Sequence, residues 1–160
     1  VRAGDALAAV PLAPAAPIAI HISAREEERQ WPIEKWIGLT RQLLAASTNP
    51  VMLLWAPGSR DDLKHPGDDE LATALLNALS DSERQRVLPR STQTLPELVA
   101  ALSEARLLIC CDGGALHIAS GLGKPVVGLF QNHPSSYHHC GQRIVCHIDM
   151  HTRFVLQTLR

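Results

Sequence analysis

Short apolar runs separated by helical periods organise most of the chain. Five runs have the length of strands, and the best of them are continuous apolar runs, as in strands buried on both faces; a sixth candidate follows them. They are residues 18–23, 51–56, 86–89, 107–111, 125–130 and, as the sixth, 143–148. Strands that alternate with helices in this way predict an α/β domain with a parallel sheet covered on both faces.

The segments between the strands predict helices. The first begins at Pro32, whose missing N–H does no harm in a first turn, and its apolar stripe runs from residue 33 to 44. Leucines at helical spacing over residues 71–79 predict the second. Thr94 and Glu97 form a capping box at the start of the third. Residues 114–123 predict a short fourth helix, and a last helix is expected from about residue 152 to the end.

The strand ends indicate where a ligand would bind. In open parallel sheets ligands lie outside the carboxyl ends of the strands, so the loops after residues 23, 56, 89, 111 and 130 are expected to face the site. Residues 1–16 are rich in Ala and Pro and have no usable period. They are expected to be a linker or tail ahead of a domain at 17–160, in a chain that continues from a preceding segment.

Composition narrows the class of protein. The chain has 160 residues, 46% of them apolar and 19% charged, with a net charge of −1, which indicates one globular domain and no nucleic-acid surface. No apolar run approaches the roughly 20 residues that span a bilayer, and no signal peptide is evident at the start. The adjacent Cys110 and Cys111 should point to opposite faces of a strand as reduced thiols, so a cytosolic compartment is expected.

The segment CDGGALHIA, residues 111–119, combines an acid, two glycines and a histidine at the end of a predicted strand. Gly113 and Gly114 would allow a sharp turn and the close approach of a ligand, and the following helix presents N–H groups and a positive dipole end. Together these favour a phosphate or diphosphate site. A protonated His117 in the first turn would oppose the helix dipole, so its presence favours an anionic ligand in front of it. The alternative interpretation is an Asp112 cap, a Gly-Gly bend and a surface histidine.

Three segments carry a resemblance to a known family. DGGALHIASGLGKPVVGLF, residues 112–130, resembles the D-x-G-x-x-H-x-A-x-x-x-G-K-P-V-V-x-L-F signature of the ADP-heptose:lipopolysaccharide heptosyltransferases. RQWPIEKW, residues 29–36, is similar to the family's K/R-x-W-P segment. Residues 92–114, from TQTLPEL to CCDGG, are similar to the t-x-x-L-x-E-L-x-x-L-x-x-A segment that leads into the acid.

The resemblance implies a metal-independent, inverting glycosyltransferase of the two-domain GT-B architecture. The chain would be its C-terminal half, a Rossmann-like doubly wound parallel sheet that binds the donor, with an ADP-sugar expected first and GDP- or UDP-sugars as alternatives. The general base and the lipopolysaccharide-type, lipid-linked saccharide acceptor would belong to an N-terminal domain. The fragment alone would then bind donor without turnover and need no cofactor. The full-length enzyme would be cytoplasmic, at the inner membrane surface.

The family's residue roles transfer position by position through the same resemblance. Arg29 stands where a basic residue contacts the donor diphosphate, and Asp112 corresponds to the acid near the donor sugar. Ser23 falls in the donor-facing loop after the first strand. The loop and helix start that hold the phosphates correspond to Gly113, Gly114, Ala115, Leu116 and His117, and the nucleoside side corresponds to Ala56, Pro57, Gly58, Thr94 and Leu95.

The chain departs from the family after residue 130. The usual L-F-G-P-T is replaced by Gln131, Asn132 and His133, so a longer side chain stands where a glycine lets backbone approach the donor. Which sugar and which nucleotide are bound is therefore left open. Two other functions also remain: half of a GT-B-like nucleotide-sugar 2-epimerase, and a non-catalytic nucleotide-binding module. A dinucleotide cofactor is disfavoured because G-x-G-x-x-G is absent after the first strand.

Several other polar residues have structural interpretations. Arg29 could simply pair with the acids at 26–28, and Lys124 is expected to be structural at a helix end. Trp31 and Trp36 are expected in the core or at a helix start, and His21 inside the core. Zinc-type ligands cluster near the end of the chain, but their spacing lacks C-x-x-C, and no metal is expected. They are His138, His139, Cys140, Cys146, His147 and His151.

Overall fold

The computed structural model describes residues 16–26, 29–62, 64–130 and 145–149, the last range as backbone alone. Its described strands form one parallel sheet in the order β3-β2-β1-β4-β5-β6. The sixth candidate strand is thereby confirmed, and the predicted strand positions hold within two residues at each end. Their bounds are β1 Ile18–His21, β2 Val51–Trp55, β3 Val87–Ser91, β4 Leu107–Cys111, β5 Val126–Phe130 and β6 Val145–Asp149.

Helices connect the first five strands as the apolar periods predict. One short helix was missed by the sequence analysis although its signature is present: Ser80 and Glu83 form a reciprocal capping box around a single turn. The expected capping box of Thr94 and Glu97 is confirmed, since each side chain bonds the other residue's backbone N–H. The helices are α1 Ile33–Ala46, α2 Asp69–Ala78, α3 Asp81–Arg84, α4 Leu95–Glu104 and α5 Gly114–Gly121. The helix expected from residue 152 lies outside the described residues.

Two apolar layers cover the sheet. Helices α1 and α2 bury Trp36, Leu43 and Leu75 against one face, whereas α4 and α5 bury Leu102 and Leu116 against the other. The strands β1, β2, β4 and β5 are buried on both sides, which is why they appear in the sequence as continuous rather than alternating apolar runs. The edge strand β3 is mostly exposed. The two adjacent cysteines of β4 belong to opposite layers and are reduced thiols, as expected: Cys111 lies in the first layer and Cys110 in the second.

The strand order reverses beside β1. The chain winds outward from β1 through β2 to β3, then crosses back to β4 and winds outward the other way. The crevice between the carboxyl ends of β1 and β4 is the topological switch point, where doubly wound sheets bind ligands. His21 pairs with Leu54 on one side and Cys110 on the other, so these three strands end together at one edge.

The described ranges contain no helix long and apolar enough to cross a membrane. Residues 1–15, which make up nearly all of the expected linker, lie outside the description, as do Gln131, Asn132 and His133.

Candidate functional site

Arg29 and Asp112 meet across the switch point. Arg29 lies in the loop after β1, and Asp112 directly follows β4. Their side chains form an ion pair with 3.6 Å between Arg29 Nη1 and Asp112 Oδ2. Arg29 Nε also pairs with Glu26 at 2.9 Å, so the structural interpretation of Arg29 is confirmed, and its contact with a donor diphosphate stays a prediction. The guanidinium is held by two carboxylates while 41% of the side chain remains exposed.

The turn into α5 does not need glycine for its backbone shape. Gly113 is the N-cap with φ 170° and ψ −172°, which is extended backbone that any residue adopts, so the expected need for glycine in a sharp turn is not confirmed. A Cβ built on Gly114 meets no described atom within 4 Å, and one built on Gly113 meets Cys111 O at 4.0 Å. What the glycines provide is open space in front of a helix start, as close approach of a ligand requires.

Helix α5 presents its first turn to this space. Ala115 and Leu116 are buried in the second apolar layer, so their side chains anchor the helix and their backbone alone could face a ligand. The Leu116 N–H already donates to Gly113 O at 3.2 Å. His117 is exposed, with an interaction inside the protein. No described side chain caps the start of α5, so the alternative role of Asp112 as its cap is wrong.

The turn after β2 is held from the start of α2. Asp69 accepts hydrogen bonds from Trp55 Nε1 at 2.7 Å and from the Gly58 N–H at 2.9 Å, and these lower its pKa. Gly58 has φ 116°, a conformation that favours glycine, and Gly67 packs directly on it. Ala56, Pro57 and Gly58 therefore form a fixed turn at the carboxyl edge, where the nucleoside side was expected.

A buried carboxylate that the sequence analysis did not select joins the loops after β1 and β2. Asp68 accepts from Gln30 Nε2 at 3.0 Å and from Arg60 Nη1 at 3.2 Å, and it is hydrogen bonded to the Ser23 hydroxyl. Ser23 Oγ also accepts the Ala56 N–H at 2.8 Å. Ser23 thus has a structural role, and a contact with a donor stays a prediction. The sequence did contain a signal for this acid: Asp68 and Asp69 follow Gly67 and precede the apolar stripe of a helix, a pattern typical of a helix start.

The remaining nucleoside-side residues lie at the start of α4. Thr94 caps this helix, and Leu95, its first residue, is 62% exposed. Helix α4 follows β3, so both residues stand at the carboxyl edge of the sheet, two strands away from the switch point. A leucine this exposed contributes little to the core, which leaves it available to cover an apolar ligand surface.

The buried titratable groups beneath the site are neutral. His21, expected in the core, is half-buried at the end of β1. Burial lowers its pKa to about 4, opposed in part by a hydrogen bond with the Ser23 backbone. Burial raises the pKa of the Cys111 thiol to about 11, although a hydrogen bond from the Trp31 backbone opposes the rise. Burial also raises the pKa of Cys110. These thiols are inert packing groups rather than nucleophiles.

The other structural assignments have clear contacts. Trp36 is buried in the core, and the Trp31 ring packs edge-on against it at 5.0 Å. Lys124 donates to Ser103 O at 2.5 Å, so its ammonium group stabilises a carbonyl in the last turn of α4. In the part of the chain that is described, no group of His, Cys, Asp or Glu could hold a metal ion. The zinc-type cluster lies outside it, apart from the backbone of Cys146 and His147 in β6.

Solved structures of similar fold include two heptosyltransferases from E. coli. The chain matches E. coli ADP-heptose lps heptosyltransferase II with a TM-score of 0.63 and 22% identity, over 79% of this chain and 36% of that one. It matches E. coli heptosyltransferase WaaC, solved with ADP, with a TM-score of 0.60 and 19% identity, over 80% and 36%. A glycosyl transferase family 9 structure from Veillonella parvula gives 0.64 and 18%, over 84% and 35%. The chain therefore spans about a third of the length of these proteins.

Comparison with curated protein sequences gives no match. The sequence model of glycosyltransferase family 9 (heptosyltransferase) matches residues 3–148, which is nearly the whole chain. That match agrees with the resemblance noted in the sequence. This chain belongs to glycosyltransferase family 9, the heptosyltransferase family.

Proposed function

We propose that this chain binds the donor of a glycosyltransferase that transfers heptose or a related sugar from a nucleotide-diphosphate sugar to a lipopolysaccharide-type acceptor. One observation carries the proposal: the Arg29 guanidinium lies 3.6 Å from Asp112, which immediately precedes the open, glycine-lined start of α5. A cation and a helix N-terminus side by side at a switch point suit a diphosphate. An ADP-sugar is the first candidate donor, since a structure of similar fold was solved with ADP.

The proposed chemistry is electrostatic. As the bond between the sugar and the diphosphate breaks, negative charge grows on the leaving phosphate oxygens. Arg29, the first N–H groups of α5 and the His117 imidazole stabilise that charge where it develops. Asp112 cannot favour the phosphates, because like charges repel, so its carboxylate accepts hydrogen bonds from sugar hydroxyls. No step in this proposal needs a metal ion.

Transfer also needs a base that removes the proton of the acceptor hydroxyl. We assign that base and the lipid-linked saccharide acceptor to a second domain of a longer, cytoplasmic enzyme working at the inner membrane surface. The assignment predicts that this chain binds donor and transfers nothing by itself. Product analysis of the longer protein distinguishes sugar transfer from 2-epimerisation of the donor.

Calorimetry on the chain tests donor binding directly. ADP-, GDP- and UDP-sugars are titrated into the wild type, Arg29→Ala and His117→Ala. Each substitution should weaken the binding of the preferred nucleotide about tenfold or more, the loss expected when one charge-assisted hydrogen bond is removed. Arg41→Ala is the control, because Arg41 pairs with Glu83 and the Ala78 carbonyl, away from the switch point.

Two results would contradict the proposal. One is undiminished nucleotide-sugar binding in both Arg29→Ala and His117→Ala. The other is tighter binding of NAD than of any nucleotide sugar, which would indicate a dinucleotide-binding module.

A further inference from the structure

Asp68 stands at the N-cap of α2 but does not cap it. An aspartate at this position ordinarily accepts a hydrogen bond from an N–H in the first turn of its helix. The Asp68 side chain forms no such bond, and it is only 6% exposed. Its backbone N–H donates to Ala56 O at 2.9 Å, which fixes it under the turn after β2. The carboxylate is thus directed away from its own helix, towards the loop after β1.

Three donors converge on that carboxylate. Gln30 Nε2 and Arg60 Nη1 both approach Oδ1, at 3.0 and 3.2 Å, and the Ser23 hydroxyl is the third. Burial nevertheless raises the pKa of Asp68, because the loss of water outweighs these partners. Burial of a carboxylate costs free energy, so the buried position of Asp68 needs a reason. The reason lies in the groups that Asp68 holds in place.

What it holds is the segment that carries Arg29. Ser23 lies at the beginning of the loop after β1, and Gln30 lies near its end, next to Arg29. Asp68 binds both. The following residue, Trp31, donates its backbone N–H to the Cys111 thiol of β4. Arg29 therefore sits beside two consecutive anchors, one on Asp68 and one on β4, at a distance of 3.6 Å from Asp112.

We propose that Asp68 is a positioning residue of the donor site, one that acts through Gln30 and Ser23 to hold the Arg29 guanidinium where the β-phosphate of the donor binds. The inference rests on the proposed function. The reason is entropic: an arginine on an unrestrained loop must be ordered during binding, and pre-ordering it removes that cost from the interaction with the phosphate. Asp69, the next residue, holds the turn on the nucleoside side of the proposed site by accepting hydrogen bonds from Trp55 and Gly58.

The two acids make a matched pair for an experiment. Asp68→Ala and Asp69→Ala remove the same charge from the same helix start, but the first frees the Arg29 loop and the second frees the nucleoside-side turn. Affinities for AMP and ADP are measured by calorimetry on the wild type, both variants and Gln30→Ala. The ratio of ADP to AMP affinity measures the contribution of the β-phosphate to binding. A general loss of protein stability would weaken both nucleotides and leave this ratio unchanged.

The expected pattern is specific. Asp68→Ala and Gln30→Ala should lower the ADP to AMP affinity ratio about five- to tenfold while AMP affinity stays within about twofold. Asp69→Ala should weaken AMP and ADP together and leave the ratio unchanged. Because part of the effect of Asp68 passes through Gln30, the double variant should lose less than the sum of the two single losses. If Asp68→Ala fails to fold, Gln30→Ala carries the test, since it removes the same link and leaves Asp68 in place.

Failure of the inference and failure of the proposed function give different results. If Arg29→Ala lowers the ADP to AMP ratio but Asp68→Ala and Gln30→Ala do not, Asp68 does not position Arg29 and the donor site stands. An equal fall of the ADP to AMP affinity ratio in Asp69→Ala would also overturn the inference. The loss of either acid would then lower the ratio, and the effect would not depend on the contact between Asp68 and Gln30. If the wild type binds neither nucleotide, the proposed function fails and the inference fails with it.

Discussion

Acidification should destabilise this fold through one histidine. His21 is the last residue of the central strand β1, where it pairs with Leu54 and Cys110 of the neighbouring strands. Burial lowers its pKa from the ordinary 6.5 to about 4. Between these two values the unfolded chain binds a proton on His21 that the native state does not bind. The free energy of unfolding must therefore fall as the pH falls through this window.

The size of the effect follows from the shift. At 1.36 kcal/mol for each pH unit of difference, a shift of this size accounts for about 2–3 kcal/mol of unfolding free energy between pH 7 and pH 4. That is a large part of the 5–15 kcal/mol typical of a whole domain. Asp68 acts in the opposite direction, because its raised pKa lets the native state take up a proton more readily than the unfolded state does.

Urea unfolding followed by tryptophan fluorescence measures this directly at several values from pH 7 to pH 4. His21→Asn keeps a short hydrogen-bond donor but cannot titrate, so its stability should fall less steeply with pH than that of the wild type. The difference in slope between the two proteins removes the contribution of Asp68, which they share. His65→Asn is the control for losing an exposed imidazole. Parallel pH profiles of wild type and His21→Asn would refute the argument.

The two remaining predictions concern glycines. In Gly114→Ala the added methyl meets no described atom within 4 Å, so thermal unfolding should show stability within about 0.5 kcal/mol of wild type, while calorimetry shows ADP affinity lower by about tenfold. Unchanged affinity would mean that the open space is not a phosphate site. In Gly67→Ala the methyl would lie 2.5 Å from Gly58 Cα, so backbone must move and unfolding free energy should fall by about 1–3 kcal/mol. If Gly67→Ala were as stable in urea as the wild type, the backbone of the turn would be able to move without a loss of unfolding free energy.

Local patterns predicted the elements of this fold well. The strand from residue 107 to 111 and the capping box of Thr94 were correct because each depends on residues close in sequence and on burial that apolar side chains reveal directly. The acid and the glycines after β4 were predicted to form a site from an equally local pattern, and that site stays a prediction. Their explanation needed correction, however: neither glycine is required by turn geometry or by contact with a described atom, and Asp112 is a partner of Arg29 rather than a cap.

The partners of these residues could not be predicted in the same way. Asp68 and Gln30 are 38 residues apart and come together because β1 lies between β2 and β4. The paired acids at 68 and 69 indicate a helix start, but nothing near either Asp68 or Gln30 indicates that the two side chains meet.

The sequence by itself determined which segments form strands and helices, that the sheet is parallel and covered on both faces, and which family the chain resembles. These follow from the period of apolar residues and from short motifs, which are local properties. The tertiary structure alone decided that Arg29 faces Asp112 and that a buried carboxylate joins two loops. Contacts of that kind depend on strand order, which is settled by the packing of the whole sheet rather than by any one segment.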